Sequence, residues 1–253
     1  MDLGLKGLRA LVTGSTKGIG RSVAEVFAAE GAEVAVCSRN AEDVDATVRS
    51  LNETGVRAIG RAVDVADAAA LKAWVDDAAT ELGGLDIVVA NVSALAIQEN
   101  EENWHTTFEV DLMHAVRLVE AAKPHLERSE AGSIVTVASV SGREIDFTAG
   151  PYGSLKAALI HYTQGVAYQL ADKGIRANTV SPGNTYFDGG IWQQTEQNNT
   201  ELYTTQLGLN PTGRMATPEE VAKAVVFVAS PAVRFMTGSH LLVDGALARG
   251  VQL

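Results

Sequence analysis

Short apolar segments rich in Val, Ile and Leu recur along the chain, and a longer segment with helical spacing follows most of them. Apolar runs this continuous are typical of strands that are buried on both faces of a parallel sheet. The pattern predicts strands at Leu8–Thr13, Glu33–Ser38, Arg57–Val63, Leu85–Ala90, Gly132–Ala138, Arg176–Val180 and His240–Val243.

The segments between these runs carry their apolar residues on one helical face. Ile19–Glu30 and Leu71–Leu82 repeat apolar residues at helical spacing, which predicts amphipathic helices. Pro218–Ala229 follows Thr217 and carries Glu220 in its first turn, a combination that favours a capped helix start. Strands and helices that alternate from end to end predict the α/β class, as a doubly wound Rossmann-type domain with a mostly parallel sheet.

One segment interrupts this alternation. Asn184–Thr212 is rich in Gln, Asn and Thr and shows no hydrophobic period. A stretch of that length without structure, inside a compact domain, is usually a lid or a binding loop. We therefore expect residues 184–212 to form a substrate lid. Its aromatic residues either line a pocket or fix the loop to the core, and they are Tyr186, Phe187, Trp192 and Tyr203.

The composition fits one large domain over residues 1–253, since 46% of the residues are hydrophobic and 20% are charged. Acidic residues outnumber basic ones by 31 to 20, and the resulting net charge of -11 disfavours nucleic-acid binding. The single cysteine, Cys37, excludes an internal disulfide. No apolar run approaches the ~18 residues of a membrane span, and the first residues do not resemble a signal peptide. We expect a cytoplasmic protein without a membrane partner.

The first predicted strand leads directly into a glycine-rich turn and then into a helix. Glycines let the backbone approach phosphates closely, and the helix N-terminus offers unpaired N–H groups and a positive dipole to a pyrophosphate. Glycines also mark plain tight turns, but a strand–helix junction is the context that a dinucleotide site requires. The predicted cofactor-binding residues of this turn are Gly14, Ser15, Thr16, Lys17, Gly18, Ile19 and Gly20.

The end of the second predicted strand indicates which dinucleotide binds. A fold that prefers NAD places an acidic residue there for the ribose 2′-hydroxyl, whereas this chain has Ser38 and Arg39. Arg39 can pair with a 2′-phosphate through two hydrogen bonds, and Lys17 can reach the same region. Two cations without an anion favour NADP(H) over NAD(H). The alternative is that both are solvated surface side chains.

Candidate catalytic residues follow the fifth predicted strand. Ser139 stands at its C-terminal end, where open α/β sheets bind their ligands. Tyr152 and Lys156 are four residues apart on one predicted helix, so the phenol and the ammonium can point into one cleft. Because a nearby ammonium favours an ionised phenol, the tyrosine can exchange a proton with a carbonyl or alcohol oxygen while a hydride is transferred. Ser139 would hydrogen-bond the same oxygen.

Together these motifs resemble those of the short-chain dehydrogenase/reductase family along the whole chain, from the glycine turn to Val243-Asp244-Gly245. The resemblance implies that Tyr152 is the acid/base and that Lys156 tunes it and binds the nicotinamide ribose. It implies that Ser139 orients the carbonyl. Further implied cofactor contacts are Asp64 and Val65 at the adenine end, Asn91 after the fourth strand, and Pro182 and Gly183 at the nicotinamide.

The resemblance also implies assembly as a homodimer or homotetramer, because family members usually associate through two long helices. Those helices correspond here to Glu101–Glu127 and Tyr152–Asp172. The C-terminal segment Gly245–Leu253 is a candidate for a second interface. Apolar helix faces bury equally well inside a monomer, so the sequence leaves the assembly open.

Three positions depart from the family's pattern. Asn91 is kept after the fourth strand, but Val92-Ser93 follows where the family commonly has Ala-Gly, so the backbone there must avoid positive φ. Asp111 replaces an asparagine whose backbone carbonyl holds a water in a proton relay to the lysine. Asp111 can serve the relay through its own carbonyl, and its side chain adds a charge. Phe187 replaces a threonine that touches the cofactor, and Thr185 is its partial substitute.

These features predict an NADP(H)-dependent oxidoreductase that interconverts a ketone and a secondary alcohol, and a 3-oxoacyl thioester is one candidate substrate. One alternative is an NAD-linked alcohol or hydroxysteroid dehydrogenase. Another is a catalytically inactive NADP-binding sensor or scaffold. The five histidines show no metal-ligand spacing, so no metal is predicted. The predicted partner is a small carbonyl or alcohol compound.

Overall fold

In this computed structural model, which describes residues 2–250, seven strands form one sheet. The strands are Arg9–Thr13 (β1), Glu33–Ser38 (β2), Ala58–Ala62 (β3), Ile87–Ala90 (β4), Ser133–Val137 (β5), Arg176–Pro182 (β6) and His240–Val243 (β7). Their order in space is β3-β2-β1-β4-β5-β6-β7, and neighbouring strands run parallel. All residues of β4, β5 and β6 are buried. The prediction of a doubly wound parallel sheet is therefore confirmed.

Helices cover both faces of the sheet. The α-helices of the described residues are Gly18–Ala29 (α1), Ala41–Asn52 (α2), Ala68–Glu81 (α3), Glu101–Thr107 (α4), His114–Leu126 (α5), Pro151–Leu170 (α6), Ile191–Asn198 (α7), Thr200–Leu209 (α8) and Pro218–Ala229 (α9). One apolar core joins the sheet to α3, α5 and α6, and the other joins it to α1, α2 and α9. Helix α9 carries the capping box predicted from Thr217 and Glu220. Among residues 2–250, no helix is long and apolar enough to cross a membrane.

The predicted lid is helical rather than irregular. Helices α7 and α8 lie within Asn184–Thr212, so the expectation of a segment without structure is wrong. Trp192 is buried in α7, whereas α8 buries none of its residues, so neither helix needs an apolar stripe. Asn199 caps α8 by accepting a hydrogen bond from the backbone N–H of Leu202. Polar capping, rather than apolar spacing, marks this helix.

The two long helices expected to mediate assembly also differ in detail from the prediction. A π-helical segment, Phe108–Met113, separates α4 from α5 within Glu101–Glu127. The segment predicted as Tyr152–Asp172 begins at Pro151, and its α-helical part ends at Leu170. Within Gly245–Leu253, the candidate for a second interface, residues 251–253 lie outside the described part of the chain.

The order of the strands determines where a ligand can bind. Within the sheet, β2 and β3 lie to one side of β1, and β4 lies directly beside β1 on the other side. In open α/β sheets this reversal leaves a crevice beyond the carboxyl ends of the two central strands. The glycine turn follows β1 and Asn91 follows β4, so both stand at this crevice.

Candidate active site

A cavity of about 500 Å³ opens at the crevice beyond β1 and β4. Most of the residues predicted from the sequence to bind cofactor or to act in catalysis line it. They are Gly14, Thr16, Lys17, Gly18, Ile19, Gly20, Ser38, Arg39, Asp64, Val65, Asn91, Ser139, Tyr152, Lys156, Pro182, Gly183 and Thr185. Two predicted residues, Ser15 and Asp111, do not belong to the lining.

The glycine turn at one end of the cavity has the features of an anion site. Helix α1 begins at Gly18, its N-cap Lys17 makes no capping bond through its side chain, and its first turn holds no acidic residue. A β-carbon on Gly20 would lie 2.2 Å from the carbonyl oxygen of Gly14 and 2.4 Å from Nδ2 of Asn91. Only glycine fits there, and the free N–H groups and positive end of α1 remain available to a phosphate.

Ser15 serves the fold rather than the cavity. Its fully buried hydroxyl donates to the carbonyl of Val12 at 2.8 Å and accepts from the backbone N–H of Cys37 at 3.1 Å. These bonds join the ends of β1 and β2. The structure thus points the Ser15 side chain away from the place predicted for it, because the neighbouring strands use both of its hydrogen-bonding functions.

Two cations line the cavity beside the glycine turn and at the end of β2. Lys17 and Arg39 are exposed, and neither forms an ion pair with any residue in the described range. Asp64 is the acidic residue of the lining, and its carboxylate accepts a hydrogen bond from the backbone N–H of Ala66 at 3.0 Å. The positive charges at Lys17 and Arg39 are therefore available to a phosphate group.

The three central catalytic candidates line the same cavity. Tyr152 and Lys156 lie one turn apart on α6, with the Lys156 ammonium 5.6 Å from the centre of the Tyr152 ring. Ser139 follows β5 and is 8% exposed, and its hydroxyl oxygen accepts the backbone N–H of Ser141 at 3.2 Å. All three line the cavity, as the sequence predicts. A phenol and a hydroxyl thus face one space beside a buried ammonium.

Asp111 lies behind Lys156 instead of at the cavity. Both residues are 1% exposed, and Lys156 Nζ is 3.1 Å from Asp111 Oδ1. The Lys156 ammonium also donates to the carbonyl of Val137 at 3.3 Å. Burial lowers the pKa of Lys156, but the Asp111 carboxylate and, after it, the Tyr152 side chain together outweigh this effect and raise the pKa above its ordinary value. The lysine is therefore held in its charged form.

His114 is a buried neighbour of this ion pair that the sequence reasoning missed. Its Nε2 lies 2.9 Å from the hydroxyl of Thr13, and its Nδ1 lies 3.2 Å from the carbonyl of Val110. Burial lowers the pKa of His114 to about 4, although the Asp111 carboxylate acts in the opposite direction. The imidazole is neutral at physiological pH. The sequence signal for this contact is the position of His114 three residues after Asp111. The spacing of the histidines reports only on metal binding.

The loop after β4 forms part of the wall on the substrate side. Val92 and Ser93 avoid positive φ, as expected, but Leu95 adopts φ of 52°. The backbone N–H of Ala94 donates to Asp111 Oδ2 at 2.9 Å. The sequence reasoning did not identify most of this wall, whose lining residues are Val92, Ser93, Ala94, Leu95, Thr106, Val110 and Ile191.

Two of the four aromatic residues of the lid line the cavity. The ring of Phe187 packs on the backbone of Gly18, where an added β-carbon would lie 2.6 Å from Cζ. Trp192 lines the cavity and meets Phe147 edge to face at 6.1 Å between ring centres. The other two, Tyr186 and Tyr203, contact each other at 6.2 Å and lie outside this cavity. The pocket-lining reading therefore holds for Phe187 and Trp192, whereas Tyr186 and Tyr203 contact each other within the lid.

Comparison with known proteins places this site in a family. A family model described as enoyl-(acyl carrier protein) reductase matches residues 14–247. Isoepoxydon dehydrogenase of Penicillium expansum is 38% identical over 100% of this chain and 99% of its own length. A 3-oxoacyl-[acyl-carrier-protein] reductase of Vibrio cholerae is 32% identical over 97% and 99%, respectively.

A solved structure agrees with this assignment. L-sorbose reductase from Gluconobacter frateurii, complexed with NADPH and L-sorbose, superimposes with a TM-score of 0.90 at 30% identity. The match covers 99% of this chain and 100% of the reductase. With the sheet order, the glycine turn and the Ser139, Tyr152 and Lys156 cluster in place, this chain belongs to the short-chain dehydrogenase/reductase family of oxidoreductases.

Proposed function

We propose that this protein uses NADP(H) to interconvert a ketone and a secondary alcohol, with Tyr152 as the acid/base. The observation that carries the proposal is that Tyr152, Lys156 and Ser139 line the same cavity as the glycine turn. A reacting carbonyl and a dinucleotide can thus meet within one enclosed space. The family and the arrangement of these side chains support the same reaction class.

The glycine-turn end of the cavity fits a phosphorylated dinucleotide. The uncapped N-terminus of α1 suits a pyrophosphate, and the absence of a β-carbon at Gly20 keeps the turn close-packed. Lys17 and Arg39 suit a 2′-phosphate, and the related L-sorbose reductase was solved with NADPH. When bound, NADPH supplies a hydride to the carbonyl carbon, and NADP⁺ accepts one from the alcohol.

The protein's own groups provide binding and proton transfer at the carbonyl oxygen. Ser139 donates a hydrogen bond from its hydroxyl to that oxygen and stabilises the negative charge that develops there. Tyr152 donates the proton that completes the alcohol, and in the reverse direction it removes that proton. Lys156 favours the ionised phenol through its charge. No step requires a metal, and among the described residues no cluster of His, Cys, Asp or Glu is placed to hold one.

The substrate end of the cavity favours a compact and largely uncharged ketone. The residues that line it there are Val92, Ser93, Ala94, Leu95, Thr106, Val110, Ile191 and Trp192. Apart from Ser93 and Thr106 they are apolar and none is cationic, so a substrate carboxylate there would be desolvated without a cationic partner. A 3-oxoacyl thioester is the second candidate substrate, favoured by the identity with the Vibrio cholerae 3-oxoacyl reductase.

The test is depletion of NADPH or NADH by the purified protein with a panel of cyclic ketones, keto sugars and 3-oxoacyl thioesters. We expect turnover with a compact ketone and a lower KM for NADPH than for NADH. A lower KM for NADH would favour the NAD-linked dehydrogenase instead. NADPH binding without turnover of any panel member, in either direction, would favour a sensor or scaffold.

We also propose that the chain forms a homodimer or homotetramer. Phe108 on the π-helical segment is 42% exposed and Tyr168 on α6 is 88% exposed. Large exposed aromatics on both long helices are more typical of an interface than of a solvated surface. Light scattering on the purified protein should give the mass of a dimer or tetramer, and a monomer at micromolar concentration would contradict the proposal. Location in the cytoplasm stays a prediction.

A further inference from the structure

The two carboxylate oxygens of Asp111 contact two different parts of the catalytic site, the Lys156 ammonium and the loop after β4. Oδ1 lies 3.1 Å from the Lys156 ammonium, and Oδ2 accepts the backbone N–H of Ala94 at 2.9 Å. We propose that Asp111 is an ionised positioning residue that offsets the charge of Lys156 and also holds the wall of the cavity at Ala94. This inference rests on the proposed function, because Lys156 and the wall matter through the reaction of Tyr152.

Because Asp111 is buried, its charge acts strongly on Lys156. The side chains of Lys156 and Asp111 are 2% and 0% exposed, so water screens their interaction very little. Oδ1 of Asp111 has no aligned hydrogen-bond donor within the described residues, so its contact with Lys156 is mainly ionic. A lone ammonium at this depth would favour its neutral form. The carboxylate therefore keeps the lysine protonated in an apolar interior.

The same carboxylate also acts on Tyr152. An ammonium alone favours the phenolate, whereas an ammonium paired with a carboxylate has a much weaker field at the phenol. Asp111 thus opposes loss of the proton of Lys156 and weakens the field of that ammonium at the phenol. It keeps the site in the protonated form, which is the form that donates a proton to a ketone.

Few other charges act on this site. His114 is neutral, and Arg117 beyond it is paired with Glu109 at 2.7 Å near the surface. The loop 92–95 and residues 137–142 contribute no titratable side chain. Asp111 is therefore the charged group whose removal should alter the titration of Lys156.

The second oxygen connects Asp111 to the shape of the cavity. Leu95 lines the cavity with φ of 52°, a conformation that L-residues rarely adopt. Its backbone N–H donates to the hydroxyl of Ser93 at 3.2 Å, and the preceding N–H, on Ala94, is held by Asp111. These contacts link two of the three places where the chain departs from the family's pattern, the β4 loop and position 111.

The kinetic test compares Asp111→Asn with the parent and with Glu109→Gln. Asparagine keeps an oxygen for Ala94 but removes the charge, whereas Glu109→Gln removes a carboxylate from the same π-helical segment at its exposed side. The rate of ketone reduction should fall with rising pH as the site loses its first proton. We expect this fall about one pH unit lower in Asp111→Asn and unshifted in Glu109→Gln. A profile that superimposes on that of the parent would overturn the proposal.

A second measurement needs neither cofactor nor turnover. Urea unfolding of parent and Asp111→Asn should show a stability gap at about pH 7 that shrinks in base, because the unpaired lysine of the folded variant can release its proton while the paired Lys156 of the parent keeps it. Glu109→Gln should show no such trend. A gap that does not depend on pH would mean that the two charges are not coupled, whatever reaction the protein catalyses.

Asp111→Ala separates the charge from the wall. It removes both contacts, so the KM for the ketone should rise about ten-fold above that of Asp111→Asn, since a cavity wall that shifts weakens substrate binding. NADPH binding, followed by fluorescence, shows that each variant is folded. Equal KM values for the alanine and asparagine variants would remove the role of Asp111 at Ala94.

Discussion

Two ion pairs at opposite edges of the same sheet show how one type of contact can serve structure or chemistry. At the amino edge, Asp86 before β4 accepts the backbone N–H of Arg9 at 2.8 Å, two guanidinium N–H groups at 2.7 and 2.8 Å and the hydroxyl of Ser129 at 2.5 Å. At the carboxyl edge, the partners of Asp111 among residues 2–250 are Lys156 and the backbone N–H of Ala94. The first carboxylate is saturated, and the second is not.

The two pairs also differ in depth. Arg9 is 27% exposed and can keep part of its hydration, whereas the Lys156 side chain is 2% exposed. Burial raises the pKa of Asp86, but the hydrogen bonds from Arg9 and Ser129 outweigh it, so that its pKa lies below the ordinary value. A saturated, partly hydrated pair fixes two strands together. A buried ion pair beside a cavity, whose carboxylate can accept further hydrogen bonds, can take part in proton transfer.

The two edges should differ most when the cation of each ion pair, Lys156 or Arg9, is replaced by methionine. Lys156→Met should lower kcat/KM at least about 10²-fold, because Tyr152 loses the ammonium that tunes it. The same variant should also lose about 3 kcal/mol of stability, because Asp111 is left charged and buried. Steady-state kinetics and urea unfolding measure the two effects.

Arg9→Met is the matched control for that variant, since it leaves Asp86 without its cation at the other edge of the sheet. We expect it to lower stability while kcat/KM per folded molecule stays at the parent value. A comparable loss of kcat/KM in both variants would show that the two edges do not divide structure from chemistry.

A smaller effect is expected from Asp86→Asn. The new amide would direct N–H groups at the donors of Arg9 or Ser129, so at least one donor loses its acceptor. The free energy of unfolding should fall by about 2 kcal/mol. Urea unfolding checks this value, and NADPH affinity should be unchanged. A loss of NADPH binding by folded protein would contradict a purely structural role for this edge.

Arg39→Ala tests a cation that has no carboxylate partner. We expect the KM for NADPH to rise about ten-fold and that for NADH to stay constant, because Arg39 is proposed to pair with the 2′-phosphate. Initial rates with each cofactor measure the ratio. Arg61→Ala, which removes a surface arginine paired with Asp77, is the control. Equal changes for both cofactors would contradict the role of Arg39 in selecting NADP(H).

The smallest expected effect is the opposite pH dependence of the two pairs. The pKa of Asp86 is lowered in the folded chain, so its contribution is complete above the ordinary value of 3.8 and is lost as the pH falls. The pKa of Lys156 is raised, so its contribution is complete below 10.5 and is lost as the pH rises. Urea unfolding should show that Asp86→Asn differs from the parent least in acid and Asp111→Asn least in base.

The sequence was sufficient to predict those elements whose burial follows from the spacing of their apolar residues. β4, for example, is a fully buried apolar run, and the glycine turn is marked by close contacts such as that of Gly20 with Gly14, so both were predictable. The cluster of Ser139, Tyr152 and Lys156 followed from strand ends and one helical turn. The strands, the glycine turn and this cluster depend on local geometry, which can be inferred from the residue types and their spacing.

The remaining features depend on contacts between distant segments. Asp111 meets Lys156 and Ala94 because a π-helical segment turns it inward, and nothing in the local sequence reports that turn. His114 reaches Thr13 across 101 positions of the chain. The lid helices expose most of their surface, so no hydrophobic period marks them. Such features require the folded structure.

The central claim, proton transfer by Tyr152, is tested most directly by single-turnover reduction with the Tyr152→Phe variant. Parent and variant are loaded with NADPH and mixed with the best ketone of the panel, and loss of NADPH absorbance is followed. We predict a rate about 10³-fold lower in Tyr152→Phe, with unchanged NADPH affinity, because the phenyl ring keeps its place on α6 but has no proton to give. Equal rates in parent and variant would contradict the account.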